Sequence, residues 1–283
     1  MKINLLIGGN HFRIESDEEL RIEESVQPFL CCAPGIDPVN IRVVRGMEEA
    51  PTPHGPVSGE DPLLEYYLEE DRLLCMAKGS KGNKLTSAVC SLDYSEIVCY
   101  IDSRHFTSLG SVGSLLRLIP VRTILQERGT LFFHASQIAA QGKGILFMGP
   151  SGIGKTTQAK LWRTFRSAQI ICNDRTLISD GQTYGYPVDG SEPVISGETF
   201  PLGALVVLEQ AQENRIRQQK PREALMRLMI QMVYDRWNHD AMSLATQQLL
   251  DIIQQYPVYL LSCTPTEDAV TCLEQQLVKD GVL

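Results

Sequence analysis

The residues with the clearest chemical pattern are Gly149-Pro150-Ser151-Gly152-Ile153-Gly154-Lys155-Thr156. They fit the P-loop pattern, in which four residues separate a glycine from Gly-Lys-Ser/Thr. Glycines let the backbone wrap an anion, and N–H groups at a helix start point at phosphate oxygens. Lys155 would supply positive charge near the β- and γ-phosphates, and the Thr156 hydroxyl would ligate magnesium. The pattern predicts a nucleotide site; the alternative is a glycine-rich turn that binds nothing.

The segments on either side of the loop favour the nucleotide site. Residues 144–148 form a short apolar run typical of a buried strand, and residues 157–162 are helix-compatible. Strand, glycine loop and helix therefore follow one another in the order that a P-loop requires. The predicted nucleotide-binding residues are Gly149, Pro150, Ser151, Gly152, Ile153, Gly154, Lys155, Thr156 and Thr157.

A histidine precedes the loop at the end of another apolar run. His134 follows Leu131-Phe132-Phe133 and precedes Ala135-Ser136, and glycines 142 and 144 then mark a turn. This order predicts a hairpin that leads into the loop strand and returns His134 to the phosphate site. A lone histidine is more often structural, so that interpretation stays open.

Two acidic positions follow the loop. Asp174 ends the apolar run 169–172 together with Asn173, and Glu198 stands just ahead of the apolar run 202–208. A carboxylate at the end of a strand beside a P-loop is where magnesium or an attacking hydroxyl needs one. Taken alone, Asn173-Asp174 reads equally well as an ordinary turn, and Glu198 as a surface residue.

Together these elements resemble the HPr kinase/phosphorylase family and related serine kinases, over about residues 131–209. In that family a His-Gly or His-Ala element precedes the P-loop, and an apolar strand ending in Asp-Asp follows it. A Glu-Ile-Arg-Gly-Leu-Gly segment comes last. This chain has His134-Ala135, Asn173-Asp174 and Glu198-Thr199-Phe200-Pro201-Leu202-Gly203 in the same order.

The resemblance implies a phosphoenolpyruvate-carboxykinase-like P-loop fold and transfer of the ATP γ-phosphoryl group to a serine hydroxyl. Asp174 would be the general base and a magnesium ligand, and Glu198 and Thr156 would also bind the metal. Lys155 would act on the phosphates, and His134 would tune charge or orientation beside Asp174. ATP and Mg²⁺ are the expected cofactors. The expected acceptor is a serine-containing protein, a ribosomally made precursor peptide or a small molecule.

The chain departs from the family pattern at positions that include Asn173, Phe200 and Pro201. Asn173 replaces the first aspartate, so one negative charge is missing, although an amide can still hold geometry through hydrogen bonds. Phe200 and Pro201 replace the arginine and glycine of the segment linked to phosphate removal. We expect a kinase without efficient phosphorylase activity. The alternative is a nucleotide-binding sensor or scaffold without turnover, and a small NTPase ranks last.

Composition excludes several other classes of function. Of the 283 residues, 43% are hydrophobic and the net charge is −8, so we expect a globular protein without affinity for nucleic acid. The acidic excess lies within residues 1–110, which carry 10 Lys and Arg against 18 Asp and Glu. The sequence shows neither a transmembrane run nor a signal peptide, which predicts a cytoplasmic protein that contacts no membrane. The eight cysteines include no C-x-x-C pair and are expected to be reduced and buried.

The predicted architecture is mixed α/β (α+β), with a β-rich N-terminal domain at 1–110 and an HPr-kinase-like P-loop domain at 111–283. Short strands are expected at 2–7, 40–44, 73–76, 88–92 and 97–101, and an exposed Pro/Gly-rich loop at 45–62. Later helices are predicted at 222–237, 241–255 and 266–278, with a strand at 257–261.

The first domain could recognise an acceptor. Arg215, Arg217, Lys220 and Arg222 could close over the phosphates or form a solvated face. Family relatives form oligomers, so a homo-oligomer is one expectation.

Overall fold

In residues 1–110, turn residues separate short β-type segments, and these segments form a single sheet. The computed structural model describes residues 1–33, 35–79, 82–187, 196–234 and 238–283. It divides them into two compact units, the first formed by residues 1–128 and 238–239 and the second by residues 129–234 and 240–283. The boundary after residue 128 places the two helices of 112–127 in the first unit, whereas the sequence predicts them in the second domain, 111–283.

The first unit is built on an eight-stranded sheet with the order β1-β2-β3-β8-β7-β6-β5-β4. The five predicted strands are confirmed; β2, β4 and β5 are additions, and β4 lies inside the predicted loop 45–62. Pro120 separates α2 from α3, because proline disrupts a helix interior. The elements are β1 (Lys2–Ile7), β2 (Asn10–Ser16), β3 (Val39–Arg45), β4 (Gly59–Glu60), β5 (Glu65–Leu68), β6 (Arg72–Lys78), β7 (Lys84–Ser91), β8 (Glu96–Ile101), α1 (Phe106–Leu109), α2 (Val112–Leu118) and α3 (Val121–Glu127).

The described residues of the second unit form another eight strands and four helices. Its sheet order is β10-β9-β12-β13-β14-β16-β15, with β11 paired to β9 and β10 also paired to β14. The elements are β9 (Leu131–Ala140), β10 (Lys143–Met148), α4 (Lys155–Arg166), β11 (Gln169–Cys172), β12 (Arg175–Ser179), β13 (Gln182–Gly185), β14 (Phe200–Gln210), β15 (Arg215–Gln218), α5 (Pro221–Gln231), α6 (His239–Gln255), β16 (Val258–Cys263) and α7 (Glu267–Lys279).

Helices pack on both faces of this second sheet. Successive side chains of a strand point to opposite faces. Accordingly, Ile145 and Phe147 of β10 pack with α4 and α7, whereas Leu146 and Met148 pack with α5 and α6. All four side chains are fully buried. The burial of each such side chain stabilises the fold by roughly 1.5–3 kcal/mol. Packing on both of its faces therefore fixes β10, the strand that leads into the glycine loop.

The helix predicted at 222–237 is shorter than expected. α5 ends at Gln231, and the backbone N–H of Val233 then donates to the carbonyl of Phe132 at 2.7 Å. Pairing with β9 therefore replaces the last predicted turn, and residues 235–237 lie outside the described residues. The other two predicted helices and the late strand are confirmed within about two residues, as is usual for element ends.

Parallel strands set the position of the glycine loop. β10 runs parallel to β14, with Met148 opposite Val207, and β14 runs parallel to β16. The carboxyl ends of these three strands therefore meet at one edge of the sheet. The residues that follow them, from 149, 211 and 264 onward, start at that edge.

Candidate functional site

The glycine loop joins the buried strand β10 to helix α4, as the sequence predicted. Gly149, Gly152 and Gly154 have φ values of 146°, 78° and 112°, and helix α4 begins at Lys155. These positive φ values suit glycine and let the backbone curve tightly before the helix. The N–H groups of the first helical turn have no partner within the helix, so the loop can hold an anion.

Gly149 is needed for close packing as well as for its conformation. A Cβ atom there would lie 3.0 Å from Cγ2 of Ile153 and 3.4 Å from the carbonyl oxygen of Leu208. Gln210, two residues further along β14, donates from Nε2 to the carbonyl of Gly152 at 3.3 Å. The end of β14 therefore supports the loop directly.

Lys155 is buried with its ammonium group turned back onto the loop. Its Nζ donates to the carbonyls of Gly149 at 2.8 Å and Pro150 at 3.2 Å. Burial lowers the pKa of Lys155, and the negative charge of Asp174 opposes that shift. Lys155 and Asp174 therefore interact electrostatically, and this places the strand end of Asp174 near the loop.

The hairpin predicted before the loop is confirmed and brings His134 to the same edge. β9 and β10 are antiparallel with Ala135 opposite Met148, so His134 stands at the level where the loop begins. β12 pairs with the other side of β9, with Arg175 opposite His134. His134 Nδ1 lies 2.9 Å from Asp174 Oδ1, and the backbone N–H of Ala135 donates to the Asp174 carbonyl at 3.1 Å.

The imidazole of His134 is held neutral at pH 7. Burial lowers its pKa below the ordinary value of 6.5, and the positive charges of Lys155 and Arg175 lower it further against the opposing effect of Asp174. A neutral imidazole carries one N–H group. With that proton on Nδ1, His134 donates to Asp174 and fixes the direction of the carboxylate.

Asn173 is anchored beside this pair. Ser136 Oγ donates to Asn173 Oδ1 at 2.8 Å, while Asn173 Nδ2 is buried and has no hydrogen-bond partner among the described residues. Asn173 therefore presents a spare N–H donor where a carboxylate would present negative charge. Such a donor suits an oxygen-rich anion.

The structure does not bring Glu198 to the loop. Leu202 of β14 pairs with Gly144, at the start of β10, whereas Val207 pairs with Met148 at its end. Leu202 is five residues, roughly 15–20 Å, from the level of Val207 along the strand, and Glu198 precedes Leu202 on the side away from the loop. Its carboxylate accepts hydrogen bonds from Gln169 and from Ser196.

The predicted metal ligands are thus only partly assembled. Thr156 is half-buried directly after Lys155, and Asp174 interacts with Lys155. Within the described residues, no group of three or more His, Cys, Asp or Glu side chains is arranged to hold a metal ion. Oxygen ligands at this edge would come from Thr156 and Asp174, without Glu198.

The basic residues after β14 lie on an exposed surface. Arg215 pairs with Glu213 at 2.6 Å and Arg217 pairs with Glu223 at 2.8 Å. Lys220 and Arg222 are also exposed. These ion pairs agree with the solvated face that the sequence left open.

Three residues of the site escaped the sequence analysis as functional candidates. Arg175 lies 3.4 Å from Asp174 through Nε and Oδ2, and its guanidinium stacks 5.9 Å from the Phe132 ring. Ser136 anchors Asn173, and Gln158 of α4 lines a cleft beside the loop. Two signals in the sequence could have identified two of them: Arg175 directly follows Asp174, and Gln158 lies one helical turn after Lys155.

The state of the cysteines and the length of the helices bear on the expectations drawn from composition. Five of the eight cysteines are buried and all eight are free thiols, whereas Cys32 is exposed. Burial raises the pKa of Cys172, which lies directly before Asn173, to about 12. In the described residues no helix has both the length and the apolar character needed to span a membrane.

Comparison with known proteins gives one family. The sequence model of the family described as SynChlorMet cassette protein ScmC matches residues 97–277, which is more than half of the chain. The match includes the glycine loop, His134 and Asp174. No curated protein matches the sequence.

Proposed function

The chain belongs to the family of the SynChlorMet cassette protein ScmC, and we propose that it is an ATP- and Mg²⁺-dependent kinase. It transfers the γ-phosphoryl group to a serine hydroxyl of a protein, a peptide or a small molecule. The observation that carries the proposal is the His134–Asp174 pair, 2.9 Å apart, at the sheet edge where the glycine loop begins, with Asp174 interacting electrostatically with Lys155. A carboxylate beside a phosphate-binding loop is the arrangement that transfer to a hydroxyl requires.

The loop and Lys155 bind the phosphates in this mechanism. Backbone N–H groups of residues 151–157 would surround the β-phosphate, and the Lys155 ammonium would exchange the carbonyls of Gly149 and Pro150 for phosphate oxygens. A phosphate oxygen is a stronger acceptor than a neutral carbonyl, because the hydrogen bond is then charge-assisted. Asn173 Nδ2 adds an uncharged donor.

Asp174 handles the proton of the acceptor. Its carboxylate orients the serine hydroxyl and accepts its proton while the serine oxygen forms a bond to the γ-phosphorus. The bond between that phosphorus and the β,γ-bridging oxygen breaks, and ADP leaves. His134 holds Asp174 through the Nδ1–H bond, and as a neutral group it does not cancel the charge that the base needs.

Magnesium, when bound, would supply positive charge to the phosphate oxygens. The hydroxyl of Thr156 and the carboxylate of Asp174 are the oxygen donors of this chain that fit it, since magnesium prefers oxygen ligands. Glu198 is not included, because its hydrogen bonds to Gln169 and Ser196 keep it at the far edge of the sheet. The family role of that glutamate therefore does not transfer to this chain.

A nucleotide sensor without turnover is the second candidate. The Asn173 amide in place of a carboxylate and the distance of Glu198 from the loop both favour it, since two negative charges are absent from the metal site. This candidate predicts ATP binding without transfer to any hydroxyl.

Replacement of Asp174 by asparagine separates these two functions. Asp174→Asn keeps the size and hydrogen bonds of the side chain but removes the base, so transfer should fall by about 10²–10⁴-fold. ATP affinity, measured by calorimetry, should stay within a few-fold. Asp180→Asn is the matched control, because Asp180 lies exposed at the β12–β13 turn. Full transfer activity in Asp174→Asn would remove Asp174 as the base.

A further inference from the structure

A cleft of about 610 Å³ opens beside the glycine loop, and the mechanism above uses only the loop residues at its border. Its walls are the loop at 152–154, the segment 210–212 after β14, the segment 263–265 after β16, and two residues of α4, Thr157 and Gln158. The volume is in the range of pockets that bind small molecules. A ligand held by the loop would therefore have space to extend into this cleft.

The chemistry of the cleft suits an uncharged ring. Among the residues that the structure describes, no Asp, Glu, Lys, Arg or His side chain lines it. Ile153, Cys263 and Pro265 offer apolar surface, and the remaining side chains are threonines, glutamines and an alanine. A phosphate group would find no charged partner here, whereas a planar heterocycle would find both apolar walls and a few polar groups, as in most cofactor pockets.

One buried polar group in the cleft lacks a partner. Gln158 is 2% exposed, and its Nε2 donates to the Cys263 sulfur at 3.3 Å. Its Oε1 atom is buried without a hydrogen-bond partner among the described residues. Leaving a buried acceptor unsatisfied costs roughly 1–3 kcal/mol, so a ligand that donates to this oxygen recovers that energy.

We infer that this cleft binds the purine base of the nucleotide and that Gln158 Oε1 accepts a hydrogen bond from the exocyclic amino group of adenine. Guanine carries a carbonyl oxygen at that position, which cannot donate. The cleft therefore selects adenine nucleotides over guanine nucleotides. This inference rests on the proposed function, because the loop must hold the phosphates for the base to reach the cleft.

The test uses nucleotides that differ only at the amino group. Calorimetry on the full chain compares ATP with purine riboside triphosphate, which lacks that group, and with GTP. We expect both analogues to bind about tenfold more weakly than ATP, as the loss of one hydrogen bond to a buried acceptor implies. Inorganic tripolyphosphate serves as a probe of the loop alone.

The matched variants are Gln158→Met, which keeps the side-chain volume, and Gln254→Met on the exposed face of α6. Gln158→Met should bind ATP and purine riboside triphosphate equally, while tripolyphosphate affinity stays unchanged; Gln254→Met should behave as wild type. Equal affinity of the wild-type chain for ATP and purine riboside triphosphate overturns the adenine assignment and leaves the kinase proposal intact. Failure of both ATP and tripolyphosphate to bind overturns both.

Discussion

At the residue scale, the site depends on the pair formed by a neutral histidine, His134, and the carboxylate of Asp174. His134 and Asp174 come from positions 40 residues apart in the sequence, and the pairing of β9 with β12 places their side chains 2.9 Å apart. The burial that keeps His134 neutral also leaves Asp174 as the negative group facing Lys155. The geometry therefore favours a base that is oriented by a hydrogen bond and not neutralised by an adjacent cation.

The pH dependence of stability tests the state of His134. Because the pKa of His134 in the folded protein lies below 6.5, the unfolded chain binds this proton more readily than the folded chain. The stability that this group contributes is fully present above pH 6.5 and is lost as pH falls through the lowered pKa. Thermal unfolding between pH 7.5 and pH 5 should therefore show a steeper acid loss for wild type than for His134→Gln.

The control for that measurement is His54→Gln, since His54 belongs to the first unit and the glycine loop belongs to the second. It should keep the pH profile of the wild-type chain. Superimposable profiles for wild type and His134→Gln would show that His134 titrates equally in both states, and the neutral histidine would have to be abandoned.

At the element scale, the strand, loop and helix around residues 144–166 were predictable because their signals are local. The apolar run 144–148, the three glycines and the following helix formers are all contiguous in the sequence. The hairpin before them was predictable for the same reason. Glu198 was misplaced because its position depends on the parallel register of β10 with β14, which pairs segments about 60 residues apart. No local pattern reports that register.

Two glycines test how the loop backbone contributes. Gly154 has φ +112° and Gly142, in the β9–β10 turn, has φ +77°, and a Cβ at either position would contact nothing within 4 Å. Alanine at either site is therefore strained without a clash, and each variant should lose about 1–3 kcal/mol of unfolding free energy. Only Gly154→Ala should also weaken ATP binding, by about tenfold or more, since it redirects N–H groups that hold phosphate.

Denaturant unfolding and ATP calorimetry on the two glycine variants provide the readouts, with Gly142→Ala as the control for backbone strain. Unchanged ATP affinity in both variants would indicate that the loop does not bind phosphate. An equal loss of ATP affinity in both variants would instead indicate that the effect comes from general destabilisation of the second unit.

At the scale of the whole molecule, charge and chemistry are carried by different parts of the chain. The acidic excess lies within residues 1–110, whereas the glycine loop, His134 and Asp174 all belong to the second unit. Short apolar segments and turn residues predicted strands in both parts of the chain, whereas the order of the strands in the two sheets was not predicted. The boundary at residue 128 was not predictable from the sequence. The helices α2 and α3 resemble the later amphipathic helices, and only their packing assigns them to the first unit.

The central claim is transfer of a phosphoryl group to serine, and mass spectrometry tests it most directly. The chain is incubated with ATP, Mg²⁺ and candidate acceptors: free serine, carrier proteins and peptides encoded near the gene. The proposal predicts that a serine of one acceptor gains the mass of one phosphoryl group, and that Lys155→Ala abolishes the gain. Intact ATP binding by calorimetry with no mass gain on any acceptor would contradict the kinase and leave the nucleotide sensor.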